Sequence, residues 1–359
     1  MSVPLFATTL QPQMDQILER VAVVARSGRY IFGPELEAFE GEFASYLGVD
    51  HAIGVGNGTD ALTIALRATG VKPGDEVICP SFTFYATAEA IVNAGARPVF
   101  CDVDPDTFCI TPETVRPHLS KSTGAIVAVH LFGNVAPVPA LRELGVPVIE
   151  DAAQSAGASL DGAKAGALGD AATFSFFPSK NLPCMGDGGA VVSSSDEVAE
   201  RARLLRFHGS HDKRTHTDVG YNSRLDAIQA TTLRVLLPEL DGWNQRRRAA
   251  ADAYAAAGLG ELVRLPVPTT GAEHVHHLYT VRADDPDDLV ARLAAEGIQA
   301  RSHYRTPTHR QPAMKPFAAA ELPVTDQLAA TNVALPMGPE LTSEQAAAVV
   351  DACRQRVSA

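Results

Sequence analysis

The chain has 359 residues, 46% of them hydrophobic and 20% charged, a composition typical of proteins that fold around apolar cores. This length exceeds what one core usually supports, so two lobes are expected. A formal net charge of -12 argues against a nucleic-acid surface, which needs clustered lysine and arginine side chains.

The sequence carries no targeting or membrane signal. Its start, MSVPLFATTLQPQMDQ, lacks the positive and apolar stretches of a signal peptide, and no later stretch offers the roughly 20 apolar residues of a membrane span. The five cysteines form no C-x-x-C pair and mostly fall in apolar surroundings, so we expect reduced core residues. These features predict a cytoplasmic protein without a membrane partner.

Short β-branched runs alternate with helical patterns from residue 52 onward. HAIGVG precedes the helix-like TDALTIALRATG, and the next strand candidates are DEVICP, RPVFCDV, GAIVAVH and VPVIEDA. This alternation predicts βαβ units and a mostly parallel sheet that helices cover on both faces. The fold class is therefore α/β.

Two more strand candidates, AATFSFF and GGAVVSS, bracket Lys180. A helical stretch over residues 224–257, interrupted near Pro238, is expected to link the lobes. After it, HLYTVRA predicts a strand, PDDLVARLAAEG predicts an amphipathic helix that a glycine ends, and a terminal helix follows an irregular stretch. We therefore expect a large domain over residues 1–240 and a smaller α/β domain over residues 241–359.

A glycine-rich turn, in GVGNGTDALTIAL, follows the first of these strands. Backbone N–H groups are free at a helix start, where the helix dipole also favours an anion, so the turn is a candidate phosphate site. The alternative is a tight turn capped by Thr59 or Asp60. The G-x-G-x-G spacing differs from the G-x-G-x-x-G of dinucleotide folds and argues against a nicotinamide-dependent oxidoreductase.

Two adjacent carboxylates, Glu150 and Asp151, end the strand candidate VPVIEDA. The carboxyl ends of parallel strands form the rim where α/β sheets bind ligands. Strand side chains alternate between the two faces, so only one of these acids is expected to serve a site. A helix N-cap is the alternative role for Asp151.

Lys180 stands between an aromatic run and the glycine-rich MGDGGA. Residues 174–178 are expected to surround its ammonium group with apolar atoms, which would lower the pKa and make the amine a nucleophile toward a carbonyl. An ordinary surface-loop lysine is the alternative.

Taken together, these three features match one cofactor. The helix start, the strand-end carboxylate and the loop lysine correspond to the phosphate, the pyridine nitrogen and the aldehyde of pyridoxal 5'-phosphate. The stretch PSFTFYAT adds Phe84 and Tyr85, one of which would stack on the pyridine ring while the other packs in the core.

Histidines offer a competing interpretation, a metal hydrolase. The two candidate groups lack the i, i+4 helical pair of common zinc sites, so no metal is expected. They are His208, His211 and His216, and His274, His276 and His277.

Eight motifs occur in a fixed order over nearly the whole chain: YIFGPELEAFE, GNGTDAL, PSFTFYATAEAI, IEDAAQSAGA, FSFFPSKNL, GDGGAV, GYNSRLDAIQA and HRQPAM. This ordered set resembles the DegT/DnrJ/EryC1/StrS family of sugar aminotransferases. The resemblance implies the aspartate-aminotransferase type of fold (fold type I of the pyridoxal phosphate enzymes), with a large mixed, mostly parallel sheet domain and a smaller C-terminal α/β domain.

The resemblance also implies roles for single residues of the cofactor site. Lys180 would form the Schiff base with pyridoxal phosphate, and Asp151 would pair with the pyridinium nitrogen. Phe84 would stack on the ring, and Gln154 would lie near its 3-hydroxyl group. The phosphate would lie against four residues: Gly58, the backbone amides of Thr59 and Asp60, and the Ser175 hydroxyl.

Substrate and subunit contacts follow from the resemblance as well. Asn222, in GYNSRL, would reach the phosphate of a neighbouring subunit, which implies a homodimer with shared active sites and leaves a tetramer open. Tyr304, His309 and Gln311 match the stretch that lines the sugar side.

The implied reaction is amino transfer from L-glutamate to a nucleotide-linked keto sugar, with pyridoxamine phosphate as the intermediate form of the cofactor. One relative of this fold carries histidine at the lysine position and performs a dehydration, so Lys180 favours transamination. FFPSKNL and GDGGA look closer to members that act at C3 of a dTDP- or UDP-linked 3-keto-hexose. The alternatives are a C4 sugar aminotransferase, a keto-cyclitol aminotransferase and a non-catalytic regulator.

Overall fold

A seven-stranded mixed sheet forms the centre of the computed structural model, which describes residues 2–6, 10–317 and 321–354. The strand order is β1-β9-β8-β5-β4-β2-β3, and only β9 runs antiparallel to its neighbours. The α/β prediction is confirmed. The strands are β1 (His51–Val55), β2 (Glu76–Pro80), β3 (Arg97–Cys101), β4 (Thr123–Val129), β5 (Val148–Asp151), β6 (Ser159–Leu160), β7 (Ala163–Lys164), β8 (Ala171–Ser175), β9 (Gly189–Ser193), β10 (Ala272–Glu273), β11 (Tyr279–Arg282) and β12 (Asn332–Leu335).

Helices cover both faces of this sheet, because its central strands are almost entirely apolar and buried on both sides. One apolar cluster includes α3 and α4 and the other includes α2 and α8. The α-helices are α1 (Met14–Ser27), α2 (Pro34–Leu47), α3 (Gly58–Ala68), α4 (Ala86–Asn93), α5 (Pro112–Val115), α6 (Val138–Arg142), α7 (Asp196–Arg206), α8 (Ala227–Leu236), α9 (Leu240–Ala256), α10 (Pro286–Ala295), α11 (Pro323–Thr331) and α12 (Ser343–Arg354).

A second apolar core lies in the C-terminal part of the chain. The antiparallel pair β11 and β12 packs with α10, α12 and the second half of α9 around the buried Tyr254. Val3 also belongs to this core, so the start of the chain crosses to it. The predicted break near Pro238 is a short 3₁₀ helix, Leu237–Glu239, between α8 and α9. The domain boundary between residues 240 and 241 stays a prediction.

The parallel strands bring their carboxyl ends to one edge of the sheet. The loop after β2 begins at Ser81, β5 ends at Asp151 and β8 ends at Ser175. Lys180 lies in the loop between β8 and β9, as the sequence predicts. Residues far apart in the sequence therefore meet at this edge.

Glu150 precedes Asp151 on β5, so the two side chains point to opposite faces of the sheet. The side chain of Glu150 is completely buried. Its carboxylate accepts hydrogen bonds from three backbone amides, those of Gly166, Leu168 and Gly169, at 2.7–2.8 Å. His130 Nδ1 accepts from a backbone amide, so its Nε2 carries the proton and donates it to Glu150 at 2.8 Å. Glu150 thus fixes a loop and the end of β4 to β5.

Replacing Glu150 by glutamine should destabilise the fold. A glutamine amide offers one acceptor oxygen and one NH₂ group. Of the four groups that donate to the Glu150 carboxylate, some would therefore lose their acceptor inside the core. We expect Glu150→Gln to lower the free energy of unfolding by about 2–4 kcal/mol, measured by urea titration. The control is Glu143→Gln, because Glu143 is exposed. Equal stability of the two variants would contradict this account.

Candidate active site

A cavity of about 790 Å³ opens at the carboxyl edge of the sheet. Nine of the twelve predicted site residues line it: Gly58, Thr59, Asp60, Phe84, Asp151, Gln154, Ser175, Lys180 and Tyr304. The sequence did not predict several other lining residues, among them Asn57, Thr87, His277, Arg301, Ser302 and His303.

One end of the cavity is the start of α3. The N-cap is Asn57, whose side chain accepts from the Asp60 amide at 2.8 Å, and neither Thr59 nor Asp60 caps the helix. The Asp60 amide, which the resemblance assigns to the phosphate, donates to Asn57 in this structure, and its phosphate contact stays a prediction. The amides of Gly58 and Thr59 make no hydrogen bond with the described residues, which leaves two donors at a helix start.

Gly58 and Ser175 come very close at this end. A Cβ atom on Gly58 would lie 2.7 Å from Ser175 Cβ and 3.2 Å from Ser175 Oγ. Only glycine therefore lets the hydroxyl of the β8 end and the amides of the α3 start face the same small space. This arrangement fits a phosphate group.

Asp151 contributes one of the negative charges of the cavity wall. Its Oδ2 accepts from Thr87 Oγ1 at 3.0 Å and its Oδ1 from the Ala153 amide at 3.2 Å. These bonds hold the carboxylate at the sheet edge, where it can pair with a protonated ring nitrogen. Since Glu150 faces the core, only one of the two acids serves the cavity, as alternation predicts.

Lys180 is half-buried, and its ammonium group lies among protein atoms in the cavity wall. Burial lowers the pKa of Lys180 from 10.5 to about 8, although the charge of Asp151 opposes this shift. Within the described ranges its Nζ makes no hydrogen bond or ion pair. A carbonyl ligand in this cavity would therefore face an amine that loses its proton more readily than an ordinary lysine does.

Only part of the aromatic run before Lys180 lines the cavity. Phe174 and Phe176 point into the core, where their rings pack edge-on against Phe43. Of the three, only Phe177 lines the cavity, and it is 51% exposed.

The wall opposite α3 is aromatic and polar. Phe84 is 54% exposed, and its ring centroid lies 5.9 Å from that of Tyr304. Gln154 Nε2 donates to the Tyr304 hydroxyl at 3.2 Å, and its Oε1 accepts from the Phe132 amide at 2.8 Å. Burial holds the pKa of Tyr304 well above its usual value, so this hydroxyl stays protonated.

Three predicted residues lie outside this cavity. His309 is buried, and its Nδ1 is 2.6 Å from Ser81 Oγ, so its side chain holds two loops together and does not line this cavity. Gln311 lines a smaller neighbouring cavity of about 280 Å³ that shares Phe84 and Tyr304. Asn222 is exposed.

The described residues contain no group of three or more histidine, cysteine or acidic side chains placed to hold a metal ion. Among the helices of the same ranges, none is both long and apolar enough to cross a membrane.

A lysine of lowered pKa, a strand-end carboxylate and a glycine-lined helix start in one cavity of an α/β fold define a pyridoxal phosphate enzyme of the aspartate-aminotransferase type. The model of the DegT/DnrJ/EryC1/StrS aminotransferase family matches residues 12–354. The chain belongs to this family, which depends on pyridoxal phosphate.

Individual relatives are similar over nearly their whole length. A dTDP-3-amino-3,4,6-trideoxy-alpha-D-glucose transaminase from Streptomyces venezuelae is 46% identical, over 93% of this chain and 90% of the relative. A protein from Geobacillus stearothermophilus named pleiotropic regulatory protein is 45% identical, over 95% and 94%. The crystal structure of S. venezuelae DesV in complex with a ketimine intermediate has a TM-score of 0.93 at 44% identity, over 96% and 95% of the two chains.

The close approach of Gly58 to Ser175 gives a test of the phosphate position. Gly58→Ala would push the α3 start away from the β8 end, so the dissociation constant for pyridoxal phosphate should rise at least about tenfold. The measurement is an absorbance titration of the apoprotein. Gly41→Ala is the control, since open space surrounds that glycine in α2. Unchanged affinity in a folded Gly58→Ala protein would place the phosphate elsewhere.

Proposed function

We propose that this protein transfers an amino group from L-glutamate to C3 of a nucleotide-linked keto sugar, a dTDP- or UDP-linked 3-keto-hexose. The observation that carries the proposal is the meeting of Lys180 and Asp151 in one cavity with the Gly58–Ser175 phosphate cradle. The S. venezuelae transaminase, whose name specifies a 3-amino sugar, supports the position of amination.

Six groups of this chain would hold the cofactor. The amides of Gly58 and Thr59 and the Ser175 hydroxyl would bind its phosphate, and Asp151 would keep the proton on its ring nitrogen. Phe84 would cover one face of the ring, and Gln154 would lie near the 3-hydroxyl group. When bound, pyridoxal phosphate supplies an electron sink for the negative charge that develops at a carbon losing its proton.

Lys180 would act as the general base and acid at Nζ. A pKa of about 8 leaves about a tenth of this amine neutral at pH 7, against less than about 0.1% for an ordinary lysine. The neutral amine can accept the proton from the α-carbon of glutamate, and the resulting ammonium can return a proton to a neighbouring carbon. In the second half of the reaction Lys180 would move the proton in the opposite direction.

The sugar and donor side is the wall formed by residues 301–304 together with Phe6. Arg301 supplies a positive charge there, which suits either the carboxylates of glutamate or the diphosphate of a nucleotide sugar. Its Nε donates to His303 Nε2 at 2.9 Å. Burial and the charges of Arg301 and Lys180 lower the pKa of His303 to about 4, so its ring is neutral at pH 7.

We propose a homodimer as the working unit, with Asn222 of one subunit reaching the cofactor phosphate of the other. Apolar side chains exposed around the start of α8 support such a contact. Ile31 is 49% exposed and forms a bridge with Asp226, while Met185 is 44% exposed and its amide donates to Gln229. Five buried, unpaired cysteines are consistent with a cytoplasmic location.

A regulatory role is the second candidate, because the G. stearothermophilus relative is named as a regulator. The residues of this chain favour catalysis: a regulator has no need of a lysine whose pKa is lowered toward neutrality inside a cavity. Amino transfer to C4 of a sugar or to a keto-cyclitol uses the same lysine and carboxylate, so the products must distinguish these reactions.

Lys180 can be tested in the first half-reaction. Wild-type protein purified with pyridoxal phosphate should show visible absorption that glutamate bleaches, because the amino group passes to the cofactor. Lys180→Ala should lose this glutamate response by at least about 10³-fold in rate, since it lacks the general base. Lys72→Ala, an exposed lysine, is the control. A wild-type protein that binds the cofactor but ignores every amino donor would favour the regulator.

The position of amination is tested with a substrate panel. We expect glutamate-dependent conversion of a dTDP- or UDP-linked 3-keto-hexose to exceed that of a 4-keto-hexose and of a keto-cyclitol by at least about tenfold, a difference of about 1.4 kcal/mol in barrier. Mass spectrometry and NMR of the products identify the aminated carbon. Faster conversion of the 4-keto sugar or the cyclitol would replace the C3 proposal with that activity.

A further inference from the structure

Asn181, the residue next to Lys180, takes part in a buried chain of polar side chains. It is 3% exposed. Its Nδ2 lies 2.9 Å from Asn244 Oδ1 and 3.1 Å from the Val275 carbonyl oxygen, and its Oδ1 lies 3.2 Å from His277 Nδ1. Asn244, on α9, is 1% exposed and donates from its own Nδ2 to the Ala156 carbonyl at 2.9 Å.

Two backbone carbonyls fix how both amides are oriented, because a carbonyl oxygen can only accept. The Ala156 carbonyl requires the NH₂ group of Asn244 on its side, so Asn244 Oδ1 faces Asn181. The Val275 carbonyl likewise requires the NH₂ group of Asn181. Both N–H bonds of Asn181 are then in use, and its carbonyl oxygen is left facing His277.

The protonation of His277 follows from this orientation. Asn181 Oδ1 accepts, so His277 Nδ1 must carry a proton. Burial and the charges of Lys180, Arg247 and His303 hold the pKa of this imidazole well below its usual value, so the ring is neutral and Nε2 has a free lone pair. Nε2 makes no hydrogen bond with the described residues, and His277 lines the same cavity as Lys180.

We propose that Asn181 and His277 are positioning residues for Lys180: Asn181 anchors the lysine loop to α9 and to residue 275, and it fixes His277 as a neutral acceptor whose Nε2 faces the cavity. The proposal rests on the role given to Lys180 above. The positioning of Lys180 is a property of the protein without substrate. It can therefore be tested without substrate, and it can be refuted even where the proposed reaction is correct.

This network connects the two ends of the cofactor site. Ala156 belongs to the loop that follows Asp151, and Asn181 belongs to the loop that carries Lys180, so Asn244 joins both loops through directional bonds. Gly157 leaves room for this, since a Cβ atom there would lie 2.4 Å from Asn244 Nδ2. A neutral His277 adds no second positive charge beside Lys180, and it offers an acceptor to the amine.

The first experiment reads the tautomer of His277 directly. Protein without cofactor, labelled with ¹⁵N, is examined by NMR at pH 7, and the His277 signal is identified by its loss in His277→Asn. The Nδ1-protonated neutral form is expected, although free histidine prefers the proton on Nε2. An Nε2-protonated or doubly protonated ring would overturn the proposal, whatever the enzyme catalyses.

The second experiment measures Lys180 itself. Acetic anhydride labels the lysines of the apoprotein over a pH series, and mass spectrometry gives the midpoint for Lys180, with the exposed lysines as internal references. Wild-type protein should show a midpoint near pH 8. In Asn181→Leu the loosened loop should admit water and move the midpoint up by about one pH unit, a change of about tenfold in labelling at pH 8.

Matched variants separate positioning from general stability. Asn134 is also buried and its Nδ2 donates to two carbonyls, those of Thr107 and Val267, away from the cavity. Asn134→Leu should lower the melting temperature as Asn181→Leu does but leave the Lys180 midpoint unchanged. Equal midpoints in wild-type and Asn181→Leu proteins would reduce Asn181 to a structural residue.

His277 variants keep the test decisive if Asn181→Leu does not fold. His277→Asn retains a donor where Nδ1 stands and removes the cavity acceptor, whereas His277→Gln places an amide where Nε2 stands and breaks the bond to Asn181. Both should shift the Lys180 midpoint, with His277→Asn keeping the wild-type melting temperature. An unchanged midpoint in both variants would refute the role of His277.

Discussion

The alternation of two neighbouring acids across β5 is the constraint on which the site depends. Glu150 faces the core, where four hydrogen-bond donors surround its carboxylate, and Asp151 faces the cavity. Because side chains of a strand alternate, the first placement enforces the second: a shift of register by one residue would put Asp151 in the core and Glu150 at the rim. The buried set of bonds thus fixes the orientation of Asp151, the acid that we propose for the ring nitrogen of the cofactor.

The start of α3 and Lys180 lie at the same edge of the sheet for other physical reasons. A helix start carries free N–H groups and the positive end of a dipole, and Gly58 lets the end of β8 approach it closely. Burial lowers the pKa of Lys180 and so disfavours its positive charge. The negative charge of Asp151 raises the same pKa and partly offsets the effect of burial. The cavity therefore provides separate places for an anion, a carbonyl and a protonated nitrogen.

Sequence reasoning predicted the parts of this site that depend on local structure. Strand ends and a helix start are visible as patterns, so Asp151, Gly58 and Lys180 could be placed before any contact was known. The N-cap at Asn57, the burial of Phe174 and Phe176, and the bond between His309 and Ser81 depend on which elements pack together. Such partners lie up to 228 residues apart, and no local pattern identifies them. Thr87 is the second residue of α4 and follows Phe84 by three positions in PSFTFYAT, so the sequence offered a signal for it.

Directional bonds explain how a site built from distant segments keeps its geometry. Apolar packing holds elements at a distance but tolerates sliding, whereas an amide between two carbonyls has one orientation that satisfies both. Asn181 is such an amide. Asn244 accepts a hydrogen bond from it and donates one to the Ala156 carbonyl, so the two side chains join the Lys180 loop, the loop after Asp151 and the segment before β11. Asn244 lies on α9, whose second half packs in the C-terminal core. The loop that carries Lys180 is therefore held to the helix that leads into the C-terminal core by a hydrogen bond between two buried side chains.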